Sequence, residues 1–302
     1  MNKNILIFAI IGLLFLSSCA NLSSEEILAK VKEASSKVNT YTSTMETITS
    51  LSYSDGSSPP VKFSMSGDTI ADILNEKMKT SLKIKGLGND LKGGSESMFD
   101  TDIYLIGDEL YSKSFLGWTK QKVEGPEFAQ LWDQTNQFKN MNEFLDLGKL
   151  EIIGEQQMGG QDYYVGRLDI DFGKLIEKLG SYLSAGNNDL AYETPESMTK
   201  LFKSADYTID VWVNKESFFP ERYVYKLNLV IDGLGGGGTI TEVMDIDMKI
   251  QNINQPVTIT LPKEAENAQD IAELFGSFLG GEKGLFGEEG SAWDDNSLGV
   301  EG

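Results

Sequence analysis

Four long segments of the chain alternate between apolar and polar residues, namely residues 77–85, 206–214, 222–230 and 240–250. A period of two places the apolar side chains of each segment on one face of a β-strand. A sheet with one apolar and one polar face is typical of antiparallel pairing. The chain is therefore predicted to build its core on one face of a large antiparallel sheet.

Shorter extended segments and helical patterns surround these four strands. Apolar residues recur at helical spacing in residues 25–37 and in a segment that begins at residue 172. Residues 124–138 are also predicted to be helical, with Pro126 in the first turn, where proline is permitted. Helices combined with an antiparallel sheet predict the α+β class. The further predicted strands are residues 40–53, 61–66, 70–74, 102–106, 110–113, 117–120, 150–157 and 163–169.

The N-terminus has the features of an export signal that ends at the single cysteine. The apolar run 5–16 is too short for a membrane-spanning helix of about 20 residues, and it fits the centre of a signal peptide. Leu16-Ser17-Ser18-Cys19 resembles the lipobox of prokaryotic lipoproteins, in which the chain is cut before the cysteine and the thiol is acylated. The resemblance implies a signal peptide at 1–18, lipid on Cys19 and a tether at 19–23. An ordinary signal peptide with a chance cysteine is the alternative.

The composition narrows the chemistry that the folded chain can perform. A net charge of −20 repels nucleic acid, so no DNA or RNA partner is expected. The chain has no histidine, which removes Ser-His-Asp and Cys-His catalysis and the usual zinc sites. With its one cysteine lipidated, the protein forms no disulfide. We therefore expect neither a cofactor nor an enzyme.

Pairs of aspartates two residues apart are the remaining candidates for chemistry. Two carboxylates on the same face of a strand suit calcium binding or glycosidase-type acid–base catalysis. None of the pairs belongs to a calcium-loop motif, and such pairs arise by chance among 46 acidic residues, so no metal site is expected. The pairs are Asp100 and Asp102, Asp169 and Asp171, and Asp245 and Asp247.

Three segments near the end of the chain and one hairpin in its middle carry a family resemblance. The segments are residues 210–215, 219–222 and 254–262, and the hairpin spans residues 104–120. In sequence and in order they resemble the LolA/LppX/LprG group of extracytoplasmic lipoprotein and lipid carriers, over residues 24–265. The resemblance implies a curved antiparallel β-sheet forming an unclosed half-barrel. Helices would pack on its concave face around an apolar cavity for acyl chains.

The apolar faces of the predicted strands and of the helix that begins at residue 172 supply the candidate ligand-binding residues. Flexible methionines among them suit an irregular hydrophobic ligand. An ordinary packed core demands the same residue types, so the sequence leaves both interpretations open. The candidates are Met78, Leu82, Ile84, Leu175, Leu179, Tyr223, Tyr225, Leu227, Met244, Ile246 and Met248.

The C-terminal region changes character after the predicted domain. Residues 266–279 are expected to include an amphipathic helix, in which Ile271, Leu274 and Phe275 begin the apolar stripe. Residues 280–302 are rich in glycine and acidic residues, a composition typical of disorder. We hypothesise that the helix covers the mouth of the half-barrel.

The features together predict a membrane-anchored extracytoplasmic lipoprotein, placed at the cell surface or in the periplasm by lipidated Cys19. Its expected partners are the membrane and a hydrophobic small molecule or lipid, which it binds or also transfers. The alternative is a non-enzymatic cell-envelope interaction or signalling module with a filled core and no ligand, whose partner is another envelope protein. A glycosidase or esterase is a third reading.

Overall fold

The computed structural model describes residues 22–56, 58–87, 97–114, 117–123, 125–171, 173–175, 202–232, 238–271 and 273. The helices are α1 (Ser24–Ser35), α2 (Gly125–Thr135) and α3 (Gln137–Leu147), with a 3₁₀ turn at Lys263–Asn267. The strands are β1 (Thr40–Tyr53), β2 (Val61–Asp72), β3 (Lys77–Gly86), β4 (Ser97–Ile106), β5 (Glu109–Ser114), β6 (Gly117–Lys122), β7 (Gly148–Met158), β8 (Gln161–Ile170), β9 (Phe202–Asn214), β10 (Pro220–Asp232), β11 (Thr239–Gln251) and β12 (Gln269–Asp270).

All twelve strands belong to one sheet, in the order β12-β6-β5-β4-β3-β2-β1-β11-β10-β9-β8-β7. Every pair is antiparallel except that of β12 with β6, which is parallel. The two outer strands, β7 and β12, do not pair with each other, so the sheet stays unclosed. The long meander from β1 to β6 and the block from β7 to β11 meet where β1 pairs with β11.

The helices begin where the sequence supplies caps. Ser23 and Glu26 form a reciprocal capping box at the start of α1, with the Glu26 amide 3.2 Å from the Ser23 hydroxyl. The side chain of Asn136 accepts a hydrogen bond from the Lys139 amide and caps α3. Among the described residues, no helix is long and apolar enough to cross a membrane.

The helices lie inside the curve of the sheet. Ile27 of α1 and Phe138 of α3 are fully buried, and the Phe138 ring meets the Tyr41 ring of β1 edge-on at 5.2 Å. One hydrophobic cluster joins these helices to Leu105 of β4 and Leu150 of β7, which lie in the two blocks of the sheet. Strands from both blocks of the sheet can contact the same helices only if the sheet curves around them. The predicted α+β fold, an unclosed half-barrel with helices on its concave face, is confirmed.

Three local expectations differ from the structure. The predicted strands 61–66 and 70–74 are one strand, β2, because Gly67 has an extended conformation and packs against Leu82. The predicted helix 124–138 is divided between α2 and α3 by the Asn136 cap. Gln269 and Asp270, within the segment expected to include an amphipathic helix, form β12.

The remaining C-terminal and N-terminal expectations fall largely outside the described residues. Of the predicted helix, only Ile271 and Glu273 follow β12 within them. The signal peptide, Cys19, Leu179 and the tail at 280–302 lie outside them as well.

Candidate functional site

The concave face of the sheet has two parts with different packing. In the part that α1 and α3 cover, side chains are buried in the single hydrophobic cluster. Four of the sequence-predicted ligand residues belong to this cluster: Met78, Tyr223 and Met248 of the sheet, and Leu175 of the helical segment 173–175. We call this part the packed half. Its side chains already fill the space between helices and sheet.

The second part of the concave face is lined by apolar side chains that remain only partly buried. We call it the open half. Its most exposed members are Phe99, which is 46% exposed, and Val61, which is 48% exposed. The other residues of the open half are Met45, Leu51, Phe63, Met65, Leu82, Ile84, Tyr225, Leu227, Leu229, Met244 and Ile246.

The strand register brings these side chains together. Ile246 of β11 pairs with Thr47 of β1 on one side and with Tyr225 of β10 on the other. Thr47 in turn pairs with Met65, and Met65 with Ile84. Directly paired residues point to the same face of a sheet. Phe99 of β4 pairs with Ile84, so the open half is a largely apolar surface that crosses six neighbouring strands. Glu242 of β11 lies within it, between Leu51 and Leu229.

Six of the predicted ligand residues lie in this surface: Leu82, Ile84, Tyr225, Leu227, Met244 and Ile246. Sequence reasoning missed their partners on the neighbouring strands. The alternation of Val61, Phe63 and Met65 contained the signal for β2. All three residues lie within the predicted strand 61–66, so this signal was present in the sequence.

Two tyrosines stand at the boundary between the packed and open halves. Tyr223 and Tyr225 are stacked, with ring centroids 6.2 Å apart. Burial raises the pKa of Tyr223 well above its usual value, and burial also raises the pKa of Tyr225. Both phenols therefore remain protonated at neutral pH and are able to donate hydrogen bonds.

A polar pocket lies at the turn between β9 and β10, near the end of β11. Two adjoining cavities of about 500 and 440 Å³ share Gln161, Glu221, Ile250 and Gln251 in their walls. The Tyr163 hydroxyl donates to Glu221 Oε2 at 2.6 Å. Burial and this hydrogen bond raise the pKa of Tyr163 to about 12. Carboxamides and carboxylates dominate the walls of the first cavity, and Arg222 and Lys249 add charge to the second, so the pocket differs in character from the largely apolar open half.

The paired aspartates take part in structural contacts. Asp102 accepts a hydrogen bond from Ser81 at 2.5 Å, and Asp247 forms a two-point ion pair with Arg222. Asp171 accepts the Lys174 amide at 3.0 Å. Within the described parts of the chain, no three acidic or cysteine side chains gather in a way that could hold a metal ion.

Comparison with known proteins gives one family and several solved structures. A family described as a family of unknown function, DUF6612, matches residues 23–270. No curated protein matches the chain. LprF of Mycobacterium bovis is 14% identical and has a TM-score of 0.39, covering 79% of this chain and 96% of its own. The lipoprotein LppX of Mycobacterium tuberculosis is 14% identical with a TM-score of 0.36, over 78% of this chain and 98% of its own.

A LolA superfamily protein of Nitrosomonas europaea is also similar, at 12% identity and a TM-score of 0.21, over 81% of this chain and 97% of its own. The group named from the sequence thus recurs among the similar structures. Similarity at this level establishes neither ligand nor activity for the present chain.

Proposed function

The chain belongs to the DUF6612 family. We propose that this member of the family is an extracytoplasmic lipoprotein that holds a hydrophobic ligand in the open half. A lipid or another molecule with acyl chains has the required chemistry. The protein acts by binding and not by catalysis, and transfer of the ligand to a partner is part of the proposal.

The observation that carries the proposal is the incomplete burial of the open half. Exposed apolar surface costs about 25 cal/mol per Å² relative to buried surface. A contiguous apolar surface inside a curved sheet is unfavourable unless something covers it, and such surfaces mark binding sites for apolar partners. Phe99 and Val61 remain nearly half exposed although they belong to the concave face.

The side chains of the open half also suit a flexible ligand. Met45, Met65 and Met244 contribute three unbranched, polarisable side chains that adapt to irregular shapes. The inner-face positions of β1, β2, β3, β10 and β11 carry no lysine or arginine. An apolar chain therefore fits this surface better than an anionic group.

Adjacent residues on β11 allow a matched test. Met244 faces the open half, whereas Val243 is 41% exposed on the opposite face of the same strand. We expect Met244→Asp to abolish uptake of a fluorescent fatty acid by the purified protein, because it buries a charge in the ligand surface. Val243→Asp should leave uptake unchanged. Equal uptake by both variants would place the ligand elsewhere.

The proposed membrane anchor is the lipid on Cys19. Two acyl chains convert marginal membrane affinity into stable attachment. Growth of the host with an alkyne-tagged fatty acid should label the native protein, and Cys19→Ser should remove both the label and the protein from the membrane fraction. Labelling that persists in Cys19→Ser would contradict this part of the proposal.

The packed half favours a second candidate function. Met78, Tyr223 and Met248 are buried in protein contacts, as expected of a non-enzymatic envelope module with a filled core. Such a module would act on another envelope protein and would take up no fatty acid. The uptake measurement on the unmodified protein therefore separates the two functions.

A further inference from the structure

The polar pocket at the turn between β9 and β10 lies away from the open half. Glu221 of β10 and Gln251 of β11 line both of its cavities. On the same two strands, Tyr223 and Met248 come next and are buried in the packed half. Leu227 of the open half lies six residues beyond Glu221 on β10, which is about 20 Å along an extended strand. The packed half therefore separates the pocket from the proposed ligand surface.

A network of side-chain hydrogen bonds fixes the wall that the two cavities share. Asn214 is only 5% exposed, and its Nδ2 donates to Gln161 Oε1 at 3.0 Å. Its Oδ1 accepts the Glu216 amide at 2.9 Å, which ties the network to the turn. The Tyr163 hydroxyl lies 2.9 Å from the same Gln161 oxygen and 2.6 Å from Glu221 Oε2. The side chains of Gln161 and Glu221 are thereby held in place on the wall of both cavities.

The network occupies one polar atom of each of these two side chains and leaves the other for a ligand. Gln161 Nε2 and Glu221 Oε1 have no hydrogen-bond partner among the described residues. The amide nitrogen is a donor of two hydrogen bonds, whereas the carboxylate oxygen is an acceptor. A donor and an acceptor on one wall suit a ligand whose groups both accept and donate, as hydroxyl groups do.

The rest of the larger cavity has the same chemistry. Pockets for apolar ligands have mostly hydrophobic walls and few polar groups, and this cavity has the reverse. Phe219 and Ile250 supply a smaller apolar area, which suits the C–H face of a ring. Carboxamides, which carry donors and an acceptor on one side chain, are the most frequent wall residues, namely Gln161, Asn214, Gln251, Asn252 and Gln255.

The charges of the pocket disfavour an ionic ligand. The walls carry two carboxylates, Glu216 and Glu221, and two cationic groups, Arg222 and Lys249. Arg222 is already paired with Asp247, so the other three carry the charge that a ligand meets. An anion would meet two carboxylates, and a cation would compete with Lys249. A neutral ligand with several hydroxyl groups can donate to the carboxylates and accept from the lysine.

We propose that this pocket binds a saccharide, as a site separate from the open half. Sugar hydroxyls accept hydrogen bonds from Gln161 Nε2 and donate to Glu221 Oε1, and the sugar ring lies against Phe219. The adjoining cavities of about 500 and 440 Å³ have the size of small-molecule sites. The inference goes beyond the proposed function, because it concerns a second ligand at the other end of the sheet.

Saturation-transfer NMR of the purified protein with maltose, cellobiose and N,N′-diacetylchitobiose tests the proposal, with triglycine as a peptide probe. We expect transfer to at least one disaccharide and none to triglycine. Gln161→Met and Gln251→Met should each weaken binding of that disaccharide by about five-fold, as for one lost hydrogen bond. Both variants should keep the wild-type uptake of a fluorescent fatty acid. Transfer to no disaccharide, or to triglycine alone, would overturn the inference.

Gln157→Met is the matched control, because Gln157 is exposed on β7 and lines neither cavity. It should keep the wild-type disaccharide affinity. Unchanged affinity in whichever of Gln161→Met and Gln251→Met folds, as followed by thermal unfolding, would overturn the inference and leave the proposed function intact. Loss of both disaccharide binding and fatty acid uptake in a folded Gln161→Met variant would indicate one ligand that spans both places, and would overturn the separate site.

Discussion

The packing of the packed half can be tested at single glycines, by asking whether an added methyl group has room. A Cβ on Gly166 of β8 would lie 2.6 Å from Leu150 Cδ1, whereas a Cβ on Gly154 would meet nothing within 4 Å. We predict that Gly166→Ala destabilises the protein by about 1–3 kcal/mol through overpacking, and that Gly154→Ala changes stability by less than about 1 kcal/mol. Urea unfolding of the two variants measures both. Equal free energies of unfolding for Gly166→Ala and Gly154→Ala would show that the side chains around Gly166 rearrange at little cost.

Tyr163 gives a pH-dependent prediction at the same scale. Its folded-state pKa is raised from 10.0 to about 12, so its contribution to stability is fully present below pH 10 and is lost as pH rises towards 12. The free energy of unfolding should therefore fall more steeply between pH 10 and 12 in wild type than in Tyr163→Phe. Parallel curves for the two proteins would argue against the buried phenol–carboxylate contact with Glu221.

The sequence predicted which residues face inward but not which of them stay open. Met78 and Leu82 both lie on the inner face of β3, yet Met78 is buried in the core and Leu82 is only partly buried. The difference arises because α1 and α3 cover one part of the face, and that placement depends on tertiary packing.

Elements with a strong local pattern were predictable. β1 has the predicted bounds, and β9 to β11 follow the predicted alternation, because one face of each strand is buried. Boundaries that depend on a single side chain were not. The cap at Asn136 divides a helical pattern in two, and Gly67 in an extended conformation continues a strand through a Ser-Gly-Asp sequence typical of a turn.

The C-terminal elements carry a further prediction. β12 covers the edge of β6, and Ala268 beside it is buried. A chain ending at residue 273 keeps these contacts and should match the full chain in stability, whereas a chain ending at residue 267 should be less stable. If the amphipathic helix expected within residues 266–279 covers the mouth of the half-barrel, a chain ending at residue 273 should differ from the full chain in uptake of a fluorescent fatty acid. Unchanged uptake would contradict that hypothesis.

At the scale of the whole molecule, an unclosed sheet carries the proposed ligand surface. The strand order leaves β7 and β12 unpaired with each other, and the helices that the structure describes cover only part of the concave face. A net charge of −20 disfavours electrostatic attraction to anionic lipid headgroups, so the proposed membrane attachment rests on lipid on Cys19.

Native mass spectrometry of the soluble form, residues 20–302, purified from its host tests the central claim most directly. We expect a stoichiometric adduct with the mass of an acyl lipid, which organic extraction removes and which Met244→Asp lacks. A ligand-free mass, together with no uptake of a fluorescent fatty acid, would contradict the account and leave a filled-core module that acts through a protein partner.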